Sequence, residues 1–259
     1  TSVFGQNPGT NHPRMLGELR DAAERGARVV TFNPMVERGL ERFADPQDAL
    51  EMARGGTRPV STHYFQPGVG GALAPIPGIC THLLAMDEEA AREGSRRVLD
   101  WPFIHMHTSN FARLADALHS QDWGAIEAGS GLSRETLRAA AEVYAGADRV
   151  IFCWGMGITQ HRHAVMTIQM LVNLLLMRGN IGKPGAGACP VRGHSNVQGD
   201  RTMGINEKPT AAFLDRLGKV FGFEPPRSHG HDTVAAIEAM LAGQCKVFIA
   251  MGGNFAAAT

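Results

Sequence analysis

Three times in 259 residues an apolar run with strand character ends directly on a glycine turn. Residues 3–4 run into Gly5-Gln6-Asn7-Pro8-Gly9, residues 149–153 run through Trp154 into Gly155-Met156-Gly157, and residues 246–251 run into Gly252-Gly253-Asn254. Helical patterns follow the first two. A repeated strand, glycine turn and helix restricts the chain to an α/β fold built on a parallel sheet. In the first unit Pro13 suits the opening turn of a helix to about residue 25, with Leu16, Leu19, Ala22 and Ala23 on one face and Gly26 as the stop. Residues 28–32 form the next expected strand and 60–65 a third. Further helices are expected at 36–43, 79–86, 87–97 (a solvated charged face), 111–119 and 123–128. Four more follow at 133–145, capped by Ser133, at 161–178, at 210–221, and from Asp232 or Thr233 to 242. The 161–178 helix is apolar around most of its circumference and is expected to be buried.

Between the third glycine turn and the apolar helix before it lies the least regular stretch, residues 179–204. Glycine recurs there at 179, 182, 185, 187, 193, 199 and 204, and large apolar side chains are almost absent. No core strand or stable helix is expected from such a composition. Glycine instead permits positive φ and close backbone approach. The stretch reads as a loop laid against a ligand, offering Arg192, His194, Asn196, Gln198 and Asp200; the alternative is a long surface connection. The turn at residues 5–9 places helix N–H groups where a phosphate could sit. It departs from GxGxxG, so the usual dinucleotide fingerprint is missing, and a plain parallel-sheet turn accounts for it equally.

Composition narrows the function classes. Hydrophobic residues make up 44% of the chain and charged residues 19%, as in a globular protein. The formal net charge is zero, so there is no basic field to hold nucleic acid by its phosphates. Cys80, Cys153, Cys189 and Cys245 are widely spaced without a CxxC, which argues against a structural zinc, an iron–sulfur cluster in this chain, or a disulfide framework. That usage fits a reducing compartment, and a cytoplasmic location is expected. The apolar run 164–177 is interrupted by Thr167, Gln169 and Asn173 and falls short of the ~20 residues that span a bilayer. The His-x-His pairs at 105/107, 161/163 and 229/231 have no third ligand at an ordinary spacing, so no metal ligand is assigned. Cys153 and Trp154 read as core residues, and Asp100, Asp116, Glu127 and Glu142 as solvated.

Four blocks carry a resemblance: VFGQNPGTNHP (3–13), WGMGITQ (154–160), NLLLMRGNIGKPGAGACPVRGHSNVQGDRTMG (173–204) and FIAMGGN (248–254). They closely resemble the molybdopterin oxidoreductases of the dimethyl-sulfoxide-reductase superfamily, above all the formate-dehydrogenase-like alpha subunits. The resemblance covers almost the whole chain, and its middle block is highly specific. It implies a central portion of a larger catalytic subunit, in which molybdenum or tungsten is held by the dithiolenes of two molybdopterin guanine dinucleotides. It implies a three-layer Rossmann-like parallel-sheet domain over residues 1–190, binding one dinucleotide, followed by part of a second α/β cofactor-binding domain over 191–259. Arg192 matches an arginine that lies beside the metal and faces the substrate, and His194 stands where it could assist proton movement. Gly5, Asn7, Gly155, Met156, Gly157 and Gln160 match turns that meet the pyrophosphate and pterin. Asn196, Gln198 and Gly199 match positions that line the pterin.

The chain also departs from the family pattern. Asn33-Pro34-Met35 stands where Asp-Pro-Arg is common, and Gly70 stands where an acid is common. Recognition of the guanine base is then looser, or uses Asn33. No segment matches the family's N-terminal cysteine cluster or its metal-ligating residue. An iron–sulfur cluster would belong to a preceding part and not to this chain, and this portion alone is expected to be inactive. The implied partners are formate or a similar small anion as substrate, and a redox partner protein or electron-carrier subunit. Neither nucleic acid nor a membrane span is expected. Two other readings stay open: a metal-free scaffold subunit of an electron-transfer complex, disfavoured by the intact glycine loop and Arg192, and an NAD- or thiamine-diphosphate-binding domain, disfavoured by the missing GxGxxG.

Overall fold

Val3 and Phe4 face opposite ways out of the first strand, and that alternation sets the two faces of the sheet. The computed structural model describes residues 1–54, 57–71, 74–193, 196–204, 206 and 208–250. They divide into two units, Thr1–Gly193 and His194–Thr259. In the first unit the strands are β1 (Ser2–Phe4), β2 (Val30–Phe32), β3 (Arg42–Phe43), β4 (Arg58–Pro59), β5 (His63–Phe65), β6 (Ile151–Trp154) and β7 (Gly187–Pro190). The main sheet has the order β5-β2-β1-β6-β7 with every pair parallel, while β3 and β4 form a separate antiparallel pair. The helices are α1 (Pro8–Asn11), α2 (Arg14–Glu24), α3 (Arg38–Glu41), α4 (Ala49–Arg54), α5 (Pro75–Glu93), α6 (Trp101–His107), α7 (Phe111–His119), α8 (Trp123–Ser130), α9 (Arg134–Ala145), α10 (Met156–Thr159) and α11 (Ala164–Met177).

Both sheet faces are covered, giving three layers. One face carries Phe4, Phe32, Phe152 and Trp154 against Ile79 and Leu83 of α5, Leu137 and Ala141 of α9, and Leu171 and Leu175 of α11. The Phe4 and Phe32 rings stack at 4.8 Å, and Phe65 continues the row at 5.0 Å from Phe32. The other face carries Val3 and Cys153 against Leu19 of α2 and Leu40 of α3. Each fully buried Leu or Phe contributes roughly 1.5–3 kcal/mol. The parallel α/β expectation therefore holds, and Trp154 and Cys153 are core residues, 7% and 5% exposed.

Two buried polar devices tie the layers. Tyr144 donates its hydroxyl to the Leu174 carbonyl (2.8 Å) and accepts from Asn180 Nδ2 (3.1 Å), while Asn180 Oδ1 accepts from the Val150 N–H (3.1 Å). Burial pushes the Tyr144 phenol well above its usual range. Asp87, fully buried in α5, accepts from Val98 N and Leu99 N (both 2.8 Å), from Trp101 Nε1 (2.9 Å) and from Arg97. The solvated face expected for 87–97 is thus wrong at Asp87, because the chain after α5 folds back and supplies the donors that pay for its burial. The two helices expected over 79–97 are one, ended by Gly94 at φ +67. Asp100 and Glu127 serve locally, accepting from Phe103 N (3.1 Å) and Arg134 N (2.6 Å).

Other expectations are shortened or overturned. The 36–43 helix keeps only α3, since Arg42 and Phe43 pair with Arg58 and Pro59. The helix α11 is buried on one side only, with Val165 and Met166 exposed. Within 179–204, Gly187–Pro190 adds to the open edge of β6 as an exposed strand, because an edge offers unpaired backbone groups to any extended segment beside it.

The second unit contains α12 (Asn196–Thr202), α13 (Ala211–Phe221) and α14 (Thr233–Leu241). The helix α12 departs from the expected loop and has no buried side chain. Thr210 caps α13 by accepting from Phe213 N, and Asp232 caps α14 by accepting from Ala235 N. The strand expected from residue 246 is absent over residues 246–250. A strand persists only where its N–H and C=O groups pair across a ladder, and none of the described strands pairs with this segment. Gly252, Gly253 and Asn254 lie outside the described residues.

Candidate functional site

The sheet order places a crevice. The chain moves outward from β1 through β2 to β5, then returns to the other side of β1 with β6, so the direction reverses between β1 and β6. In open α/β sheets, ligands bind outside the carboxyl ends of the strands at such a reversal. At those ends the ladder continues one residue past each strand. Gly5 N donates to Phe32 O (3.0 Å), Asn33 N to Phe65 O (3.1 Å), Gly155 N to Phe4 O (3.2 Å) and Val191 N to Trp154 O (2.9 Å).

The turns after β1 and β6 press together backbone on backbone. Gly5 stands at φ +54, and Gly157 donates its N–H to Gly5 O at 3.0 Å. A Cβ on Gly157 would lie 2.6 Å from Gly5 O, and one on Gly155 would lie 3.0 Å from the same oxygen. Any side chain there would wedge the two turns apart. The glycines leave a low surface at the strand ends, flanked by Met156, 42% exposed, and by Gln160, whose N–H closes α10 onto Met156 O (2.8 Å). Asn7, half-buried, precedes α1 and accepts from the N–H groups of Thr10 and Asn11 through its backbone carbonyl.

Asn33 acts as a clasp beneath this surface. Its Nδ2 donates to Gln6 O (2.7 Å), and its Oδ1 accepts from Gln6 N (3.1 Å). Both ends of the amide are engaged, so in this conformation Asn33 holds the turn. Gln6 is itself buried. Its Nε2 donates to Met15 Sδ (3.5 Å), and its Oε1 has no hydrogen-bond partner among the described residues. Tyr64 supports the neighbouring segment by donating to Met35 O (2.9 Å) and accepting from Glu37 N (3.0 Å), and burial raises its phenol pKa. Sequence reasoning missed Gln6 and Tyr64. The one signal for Gln6 was a polar residue between a buried strand and a tight turn.

The remaining expected residues fall as follows. Arg192 is exposed and follows Val191, so it leaves the same carboxyl edge beside Trp154. His194 lies outside the described residues. Asn196, Gln198 and Gly199 lie on α12 in the second unit, all exposed, with Gln198 O accepting from Thr202 Oγ1 (2.9 Å). The structure thus brings together Gly5, Gly155, Met156 and Gly157, with Asn33 supporting them.

Among the described residues no group of three His, Cys, Asp or Glu side chains converges to hold a metal, and no helix is long and apolar enough to cross a membrane. His105 and His107 pack on the rings of Trp101 and Phe103, and His161 Nε2 lies 2.8 Å from Gly70 O. Backbone turns of low bulk suit a ligand that is itself large and rich in acceptors.

Comparison with known proteins bears on what that ligand is. The family model for molybdopterin oxidoreductases matches residues 2–257. Protein YdeP of Escherichia coli K12 is 50% identical over 255 residues, covering 98% of this chain and 34% of that protein. Formate dehydrogenase H of the same organism is 29% identical over 237 residues, covering 88% of this chain and 29% of that protein. The chain thus spans about a third of the length of the curated relatives it matches. Among solved structures, acetylene hydratase from Pelobacter acetylenicus superposes with a TM-score of 0.55 at 14% identity, covering 71% of this chain and 22% of that one. That likeness supports the fold.

Proposed function

This chain belongs to the molybdopterin oxidoreductase family, and on that premise we propose that it is the central cofactor-binding portion of a larger molybdenum or tungsten oxidoreductase. The observation that carries this reading is the surface where the Gly5 turn meets the Gly155–Gly157 turn at the reversal between β1 and β6. Two further features fit a large, polar, diphosphate-bearing group. Side chains are excluded where the turns meet, and Gln6 Oε1 is buried with no donor among the described residues.

On this reading residues 1–190 hold one molybdopterin guanine dinucleotide, and residues 191–259 belong to the neighbouring domain that handles the second. Bound in this way, the metal supplies the two-electron oxidation and reduction chemistry. The chain's own residues do the rest. Gly5, Asn7, Gly155, Met156, Gly157 and Gln160 present the turns that meet pyrophosphate and pterin. Asn196, Gln198 and Gly199 line the pterin, and Asn33 holds the first turn in shape. Arg192 orients a small anionic substrate of the formate type, since a fixed planar guanidinium matches a carboxylate with two parallel hydrogen bonds. His194 assists proton movement. Electrons leave to a redox partner protein or electron-carrier subunit, and the whole enzyme works in the cytoplasm. This portion alone is inactive.

The test is the molybdenum, tungsten and pterin content of the protein expressed from its complete reading frame. Near-stoichiometric metal, with guanine nucleotide released by acid, is the expected result. A folded protein with neither metal nor pterin would overturn the reading in favour of a metal-free scaffold.

A further inference from the structure

The strand that carries the candidate site and the edge strand beside it each hold one cysteine, and the two lie in register. Cys153 of β6 pairs with Cys189 of β7 across the parallel ladder. Registered neighbours in a sheet project from the same face, so the two thiols stand side by side. Adjacent strands run about 4.8 Å apart, inside the Cα separation of roughly 4.4–6.8 Å that a disulfide spans. The two members differ in access: Cys189 is exposed and Cys153 is buried among Val3, Leu19 and Leu40. Burial and the neighbouring sulfur push the Cys153 thiol up to about 12.

We propose that Cys153 and Cys189 form a reversible redox pair, closed to a disulfide by peroxide. The Cys189 thiolate attacks one peroxide oxygen, the O–O bond breaks, and Cys189 becomes a sulfenic acid while one water leaves. The Cys153 sulfur then attacks the Cys189 sulfur, the S–O bond breaks, and a second water carries off the hydroxyl with the Cys153 proton. Two thiols lose two electrons and two protons, and one peroxide becomes two waters. The bond would join β6, which leads into Gly155–Gly157, to β7, which leads into Arg192. Oxidation therefore ties the two segments that frame the carboxyl edge. The pair stands apart from the cofactor reading, because its test reads sulfur and not turnover.

The experiment uses the full-length protein, reduced, desalted and exposed to a small excess of hydrogen peroxide, then digested without reductant and mapped by mass. The expected product is the Cys153 peptide linked to the Cys189 peptide, two hydrogens lighter than their sum and released by dithiothreitol. Cys189→Ser should leave Cys153 reduced under the same treatment. Cys153→Ser should leave Cys189 as a sulfenic acid that dimedone traps. The proposal is overturned if wild-type Cys189 stays unmodified. It also fails if Cys189 is over-oxidised, or pairs with Cys245 or another molecule, while Cys153 remains a free thiol.

Discussion

Gly157 donates its backbone N–H to Gly5 O at 3.0 Å, and the Cβ that either residue lacks would fall within 3 Å of the other's backbone. Two turns separated by about 150 residues of chain are thus mutually dependent for their glycines. Gly157→Ala is expected to cost roughly 1–3 kcal/mol, the usual penalty for overfilling a packed site. Gly17→Ala provides the contrast. Gly17 lies inside α2 with open space where a Cβ would go, so alanine there should add about 0.5–1 kcal/mol. Urea unfolding of the two variants should shift the midpoint in opposite directions; a neutral Gly157→Ala would show that the turns do not press on each other.

Asn33 explains why an acid would not serve at this position in this chain. An aspartate could accept from Gln6 N but would face Gln6 O without a proton to give. Asn33→Asp and Asn33→Ala should each destabilise by roughly 1–3 kcal/mol through groups left unpaired in the interior. Thermal unfolding should show both losses. An Asn33→Asp variant as stable as the parent would remove the clasp role and reopen direct recognition of a base.

Asp87 makes stability depend on acid. Burial alone would raise its pKa, but Arg97, the Leu99 N–H and the Trp101 indole together hold it below the ordinary carboxylate value. Its contribution is complete above the unfolded-state pKa of about 3.9 and is lost as pH falls through the lower folded value. Asp87→Asn should therefore be destabilised at neutral pH, and the gap to the parent should narrow as pH drops below about 4. Stability curves taken from pH 7 down to about pH 2 would check this; parallel curves would contradict it.

Arg192 supplies the functional test. In the full-length enzyme Arg192→Ala should lower kcat/KM for a small anionic substrate by about 10–100-fold, the scale set by losing a charged hydrogen bond of roughly 1.5–3 kcal/mol. Arg192→Lys should recover only part, because an ammonium cannot reproduce the planar fork. Full kcat/KM in Arg192→Ala would withdraw the assignment.

Much of this was legible in the residues. The strands at Val3-Phe4 and at Ile151–Trp154 announced themselves by apolar runs ending on glycine, the strand at Val30–Phe32 by an apolar run ending on Asn33-Pro34, and the caps at Ser133 and Asp232 by their side-chain oxygens. The turns at Gly5 and Gly155–Gly157 were legible as positions needing small residues, though the reason proved to be each other. Less legible were residues whose state depends on a distant partner. Asp87 reads as surface charge until Val98, Leu99 and Trp101 return to it. Gln6 reads as a turn residue until Asn33 clamps its backbone.

What the sequence by itself determined is the parallel α/β class, the order of its main strands and helices, and the family to which its motifs point. Periodicity and turn chemistry are local, so they survive without knowledge of neighbours. The tertiary structure alone decided that Gly187–Pro190 is an edge strand, that residues 246–250 are not a strand, and that Cys153 faces Cys189. A strand is defined by its pairing partner, and pairing is settled by which backbone edge is open when the layers close.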